Sequence, residues 1–105
     1  MCTFIETQLF TRLISEYLTD DEYAALQVYL VANPEAGDVV RGSGGVRKLR
    51  WNVFGRGKRG GLRVIYYRRS RLGQVWLLTV YAKNERDSIS PFVLKKIKEQ
   101  LDATS

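Results

Sequence analysis

A chain of 105 residues has room for one hydrophobic core, so residues 1–105 are read as a single domain. Its 45% hydrophobic and 27% charged content excludes wholesale disorder, and a lone cysteine, Cys2, excludes an internal disulfide. The chain has no histidine, which removes imidazole acid–base chemistry and leaves no ordinary zinc ligand set, so no metal and no cofactor are expected.

Phe4-Ile5 is short and apolar and predicts a first strand. Leu9, Phe10, Leu13, Ile14, Tyr17 and Leu18 recur at helical spacing, a stripe for one core-facing side. Thr19-Asp20-Asp21-Glu22 has the capping-box pattern, which starts a second helix near Asp20 with Tyr23, Leu26 and Leu30 inward. That helix should stop by Asn33, because Pro34 disfavours helical geometry in the residue before it. Pro34 to Gly45 reads as a Gly-rich connector. Leu49, Trp51 and Val53 then alternate with Lys48, Arg50 and Asn52, the period of a strand with one apolar face.

Gly55 to Gly61 reads as a basic loop. Leu62–Tyr67 and Val75–Ala82 are nearly continuously apolar and predict two central strands, joined through Arg71-Leu72-Gly73-Gln74. Ser90 as N-cap and Pro91 at the first helical position open a last helix, with Leu94, Ile97 and Leu101 inward. Tyr23, Tyr29 and Trp51 are expected in the core. The order β-α-α-β-β-β-α gives an α+β fold: two N-terminal helices and a C-terminal helix on a small, mostly antiparallel sheet. No window approaches the roughly 18 to 20 apolar residues of a membrane span, and no basic-then-apolar leader is visible. A soluble cytoplasmic protein without a membrane partner is the expectation.

Charge is distributed unevenly. Of the 17 basic residues, twelve lie between Val39 and Asn84, a segment with no Asp or Glu; the other five share the remaining chain with all 11 acids. Twelve cations without a counter-ion repel one another in the folded state, and a polyanionic partner relieves that cost. The plainer alternative is a set of solvated strand positions. Nucleic acid is the favoured partner over a membrane surface or an acidic protein tail, and the membrane reading lacks a basic amphipathic helix.

Two tempting motifs fail on context. Gly55-Arg56-Gly57-Lys58-Arg59-Gly60 fits G-x-G-x-x-G, but it leads into a strand rather than a helix, and Arg59 stands where a Walker A loop needs Ser or Thr. Asp20-Asp21-Glu22 looks like a carboxylate cluster, yet its place in a helix's first turn suits the positive end of the helix dipole. The basic segments Arg47-Lys48-Leu49-Arg50, Lys58-Arg59, Arg63 to Tyr67 and Tyr81 to Glu85 remain as carriers of chemistry. If their strands are neighbours, these positions converge on one exposed face, with Lys48 and Arg50 sharing a side by alternation.

The ordered motifs Gly-Gly-Val-Arg-Lys-Leu-Arg (44–50), Gly-Lys-Arg-Gly-Gly-Leu-Arg-Val-Ile-Tyr-Tyr (57–67) and Leu-Leu-Thr-Val-Tyr-Ala-Lys-Asn-Glu (77–85) resemble the RelE/HigB toxins of bacterial type II toxin–antitoxin systems, most closely the HigB-like branch. The resemblance covers nearly the whole chain, including the Tyr-Leu-Thr-Asp-Asp-Glu-Tyr junction at 17–23. It implies a microbial-ribonuclease-like fold and an mRNA endoribonuclease acting in the ribosomal A site. It also implies a cognate antitoxin, of the helix-turn-helix, HigA-like kind, whose complex with the toxin binds operator DNA. By motif, Lys48, Arg63, Lys83 and Lys58 fall on catalytic positions; Arg47, Arg50, Arg59, Arg68 and Tyr81 are expected to hold RNA. Some relatives carry a catalytic tyrosine shortly after Lys-Asn-Glu, where this chain reads Arg86-Asp87-Ser88-Ile89-Ser90, so that tyrosine is either absent or replaced by Tyr81.

Cleavage without histidine needs a proton acceptor for the 2′-OH, a stabiliser for the charged phosphorane and a donor for the leaving 5′-oxygen. Arginine suits the second task, because its planar fork grips two phosphate oxygens and keeps its charge. An isolated lysine is a poor base, but crowding by other cations disfavours its charged form. Arg63 is therefore expected on the phosphate, Lys83 or Lys58 in proton transfer, and Lys48 as a phosphate contact. Two alternatives stand beside this reading: a non-catalytic nucleic-acid binder, and a ParE-like gyrase poison.

Overall fold

Thr7 turns the chain from a first strand, β1 (Thr3–Glu6), into helix α1 (Gln8–Tyr17). Its hydroxyl accepts from the Phe10 N–H at 3.0 Å and donates to the Leu78 carbonyl at 2.7 Å, so one side chain caps the helix and ties it to the sheet. Helix α2 (Asp20–Ala32) opens on a complete capping box: Thr19 Oγ1 accepts from Glu22 N–H at 3.2 Å, and Glu22 Oε1 accepts from Thr19 N–H at 2.8 Å. Asp20, Asp21 and Glu22 thus complete the helix start, which accounts for their clustering. This computed structural model describes residues 2–52, 61–85 and 89–104.

After α2 come β2 (Asp38–Val39), β3 (Arg47–Trp51), β4 (Leu62–Arg69), a 3-10 turn (Ser70–Leu72), β5 (Gln74–Ala82) and α3 (Pro91–Thr104). The sheet order is β1-β5-β4-β3-β2; β1 runs parallel to β5 and every other pair is antiparallel. The fold is α+β, as its element order implies. The short β2 is an addition within the expected connector, and β4 extends two residues past Tyr67. Gly73, left-handed at φ +63°, closes the β4–β5 hairpin. Ser90 caps α3, its hydroxyl accepting from the Val93 N–H at 3.2 Å.

The sheet is covered on both faces. On one side Phe10, Ile14, Leu26 and Leu30 of α1 and α2 pack on Leu49, Val64, Tyr66, Leu77 and Val80. On the other, Leu94 of α3, backed by Ile97 and Leu101, packs on Ile65, Leu78, Tyr81 and Val46. Each such fully buried aliphatic or aromatic side chain contributes about 1.5–3 kcal/mol of transfer free energy, which fixes the strand faces firmly. Two expected core positions are at the surface instead: Leu9 and Tyr29 are each 39% exposed. Leu9 lies on the flank of the α1 stripe, and the Tyr29 ring covers the half-buried Trp51 at 5.2 Å between centroids.

Candidate nucleic-acid interface

Register settles which basic side chains share a face. Arg50 pairs with Arg63, and Arg63 with Tyr81, so these three form one row across β3, β4 and β5. The adjacent row is Lys48, Ile65 and Thr79. Both rows lie on the α3 side of the sheet, where Ile65 and Tyr81 join the second core. Lys48, Arg50, Arg63 and Tyr81, four of the expected site residues, are thereby brought together.

A β-bulge makes this possible. Tyr66 pairs with Leu77 but Ile65 pairs with Thr79, so Leu78 is the extra residue of β5. Strict alternation from Leu77, which packs under α1 and α2, would send Thr79 and Tyr81 to that same side. The added residue shifts the phase, so Val80 and Ala82 enter the α1/α2 core while Thr79 and Tyr81 face α3.

Burial corrects the picture of a uniformly exposed basic face. Arg63 is only 8% exposed, and with Ser43 and Thr79 it makes up the buried polar and charged side chains among the described residues. Its Nη1 donates to the Leu62 carbonyl at 3.3 Å. A guanidinium taken out of water at such cost is held by fixed partners. Arg50 is exposed and Lys48 half-buried, so the row runs from solvent inward to Arg63 and Tyr81. Like charges paired directly across strands, as in Arg50 and Arg63, destabilise the sheet modestly unless an anion lies over them.

Lys83 is exposed just beyond β5, where its N–H donates to the Gly61 carbonyl at 3.1 Å and extends the ladder by one step. Gly61 is left-handed at φ +61°; a Cβ there would collide with the Asn52 side chain and lie 2.8 Å from the Trp51 carbonyl oxygen. The turn beyond it is fastened to α1: Tyr17 donates to Glu85 Oε1 at 2.7 Å, and the Glu85 N–H donates to the Ala82 carbonyl at 3.0 Å. Burial, reinforced by Glu85, pushes the Tyr17 phenol above its usual pKa, so it stays a donor.

Other expected residues lie elsewhere. Arg47 is in phase with Leu49 and faces α1 and α2, where its Nη1 donates to the Gly37 carbonyl at 2.7 Å and the Glu35 carbonyl at 3.2 Å. Arg68 shares that side and pairs with Glu35 at 3.1 Å. Both arginines fasten the connector after α2 and stand apart from Arg63. Lys58 and Arg59 lie outside the described residues. The acid-free segment is also not an acid-free neighbourhood, because Asp38 of β2 pairs with Lys48.

The sequence pattern does not single out Thr79 or the Tyr17–Glu85 bond. One polar residue within the run Val-Trp-Leu-Leu-Thr-Val was the available signal for Thr79; nothing local announces the second. No family model matches the chain. Among the described residues, no helix is long and apolar enough to cross a membrane.

Proposed function

We propose that this protein is the toxin of a bacterial type II toxin–antitoxin pair of the RelE/HigB kind, an endoribonuclease that cuts mRNA in the ribosomal A site. The observation that carries the reading is the buried Arg63, set in one row with Arg50 and Tyr81 on the α3 side of the sheet. A desolvated guanidinium beside exposed cations suits a phosphate that gains charge during reaction.

In the proposed step the 2′-oxygen attacks the adjacent phosphorus as its proton passes to a base. The bond from phosphorus to the 5′-oxygen breaks, that oxygen takes a proton from an acid, and the products are a 2′,3′-cyclic phosphate and a free 5′-OH. Arg63 stabilises the phosphorane, Lys83 or Lys58 serves in proton transfer, and Lys48 holds a neighbouring phosphate. Tyr81, the cross-strand partner of Arg63, is buried in the α3-side core and serves as the arginine's aromatic neighbour rather than as a stacking platform for a base. Alignment of the messenger by the ribosome supplies part of the rate, because positioning alone contributes several kcal/mol. The protein works in the cytoplasm, and a cognate antitoxin of the helix-turn-helix kind covers or distorts the basic rows and carries the complex to operator DNA.

The test is induction of the gene while transcript 5′ ends are mapped, with Arg63→Ala as control. New 5′ ends within translated messages, lost in the variant, are expected, together with weak cutting of free RNA. A DNA-damage response with intact messages would instead indicate gyrase poisoning. Binding that weakens in a graded, salt-dependent way without any cleavage would leave only a nucleic-acid binder.

A further inference from the structure

The far end of β4 carries a second group of cations. Arg68, Arg69, Ser70 and Arg71 of the β4–β5 hairpin line a pocket of about 460 Å³, walled on one side by Asp102 of α3. Arg69 lies over the Trp76 ring, 5.7 Å from its centroid, with Nη2 4.0 Å from Asp102 Oδ1. Lys98 Nζ is 3.0 Å from Oδ2 of the same carboxylate. One carboxylate thus serves two cations, while Arg71 stands exposed on the 3-10 turn. Among the described residues, this rim gathers four cations, Arg68, Arg69, Arg71 and Lys98, around the carboxylates of Asp102 and Glu35.

Arg63 and Arg69 lie on the same side of β4, six residues apart, which at the rise of a strand is about 20 Å. Lys98 of α3, over the Tyr67 ring at 5.1 Å, belongs to the same face. We propose that the hairpin pocket is a second phosphate site, which takes the phosphodiester backbone of the same RNA whose scissile linkage lies at Arg63. The proposal rests on the function proposed above and adds to it a minimum length of RNA. Two anchors at that separation are engaged together only by a tract of several nucleotides, whereas a dinucleotide fills one. Arginine forks match phosphate oxygens in pairs, and the Asp102 carboxylate occupies the place an incoming phosphate oxygen would take.

The test is fluorescence anisotropy with a dinucleotide and an octanucleotide carrying 2′-O-methyl groups, which cannot be cleaved. The octanucleotide should bind more tightly. Arg71→Glu should weaken it about tenfold and flatten its salt dependence by about one phosphate contact, roughly 0.7 in the log–log slope, while dinucleotide binding is unchanged. Asp102→Asn should tighten the octanucleotide several-fold and leave the dinucleotide alone. Equal wild-type affinity for both probes, or octanucleotide binding unmoved by both variants, overturns the second site. If Arg63→Ala still weakens both probes in that case, the proposed function survives without it; if wild-type protein binds neither probe, the second site falls, and the transcript 5′ ends decide the proposed function separately.

Discussion

Tyr66→Phe removes one oxygen from a fully buried ring and leaves the volume of the ring in place. That oxygen donates to the Pro34 carbonyl at 2.9 Å and accepts from the Gly37 N–H at 2.9 Å. Gly37 is buried against the ring so closely that a Cβ on it would lie 2.9 Å from a ring carbon, which leaves the amide little access to a replacement water. The Pro34 carbonyl is only half-buried and turns to solvent more easily. The loss is therefore dominated by one stranded donor, about 1–3 kcal/mol. For a domain of this size each kcal/mol lowers the melting temperature by about 4–8 °C, so a fall of about 8–16 °C is expected for a central value near 2 kcal/mol. Thermal and urea unfolding followed by circular dichroism measure it, with the urea slope unchanged. RNA binding well below the melt should survive, because the Tyr66 side chain packs on the α1/α2 side of the sheet and the Arg50–Arg63–Tyr81 row lies on the α3 side. A shift below about 2 °C would refute the assignment of the hydroxyl as the tie between the connector and the sheet.

Gly61→Ala places a methyl against the Asn52 side chain and the Trp51 carbonyl at a left-handed residue; a loss of at least about 2 kcal/mol in urea unfolding is expected, and wild-type stability would refute it. Alkali should destabilise the fold through its tyrosines. Burial, aided by the Glu6 carboxylate that accepts from Tyr23 at 2.6 Å, raises the Tyr23 pKa, and burial likewise raises those of Tyr66 and Tyr17. In the unfolded chain these phenols ionise near the ordinary value of about 10, while the folded chain keeps their protons to higher pH. Stability is therefore complete below about pH 10 and declines as pH rises above it. The urea midpoint should fall between about pH 8 and pH 11, less steeply in Tyr23→Phe, and equal midpoints would contradict the burial argument.

What the sequence disclosed of the fold was local: the capping box at Thr19, the Ser90-Pro91 helix start and the alternation of Lys48 to Trp51 each depend on neighbours a few residues away. The bulge at Leu78 was hidden because β5 is apolar on both faces, so a slip in phase leaves no trace in the pattern. Arg47 lay in phase with Leu49 and Trp51, and its side was legible from alternation; Arg68 follows a run with no polar phase, and its side was not. Charge counted along the chain also misjudged charge in space. The sheet divides one continuous basic segment, sending Arg47 and Arg68 to the α1/α2 side, where the connector engages them, and Lys48, Arg50 and Arg63 to the α3 side. Asp38, one residue before the segment, stands directly across from Lys48 in the β2–β3 register. The field at the candidate site is therefore smaller than twelve cations suggest, and its distinction lies in geometry. One inserted residue carries Tyr81 across the sheet to Arg63; without it the arginine would lose its aromatic neighbour, and the α1/α2 core would lose Val80 and Ala82 in the same step.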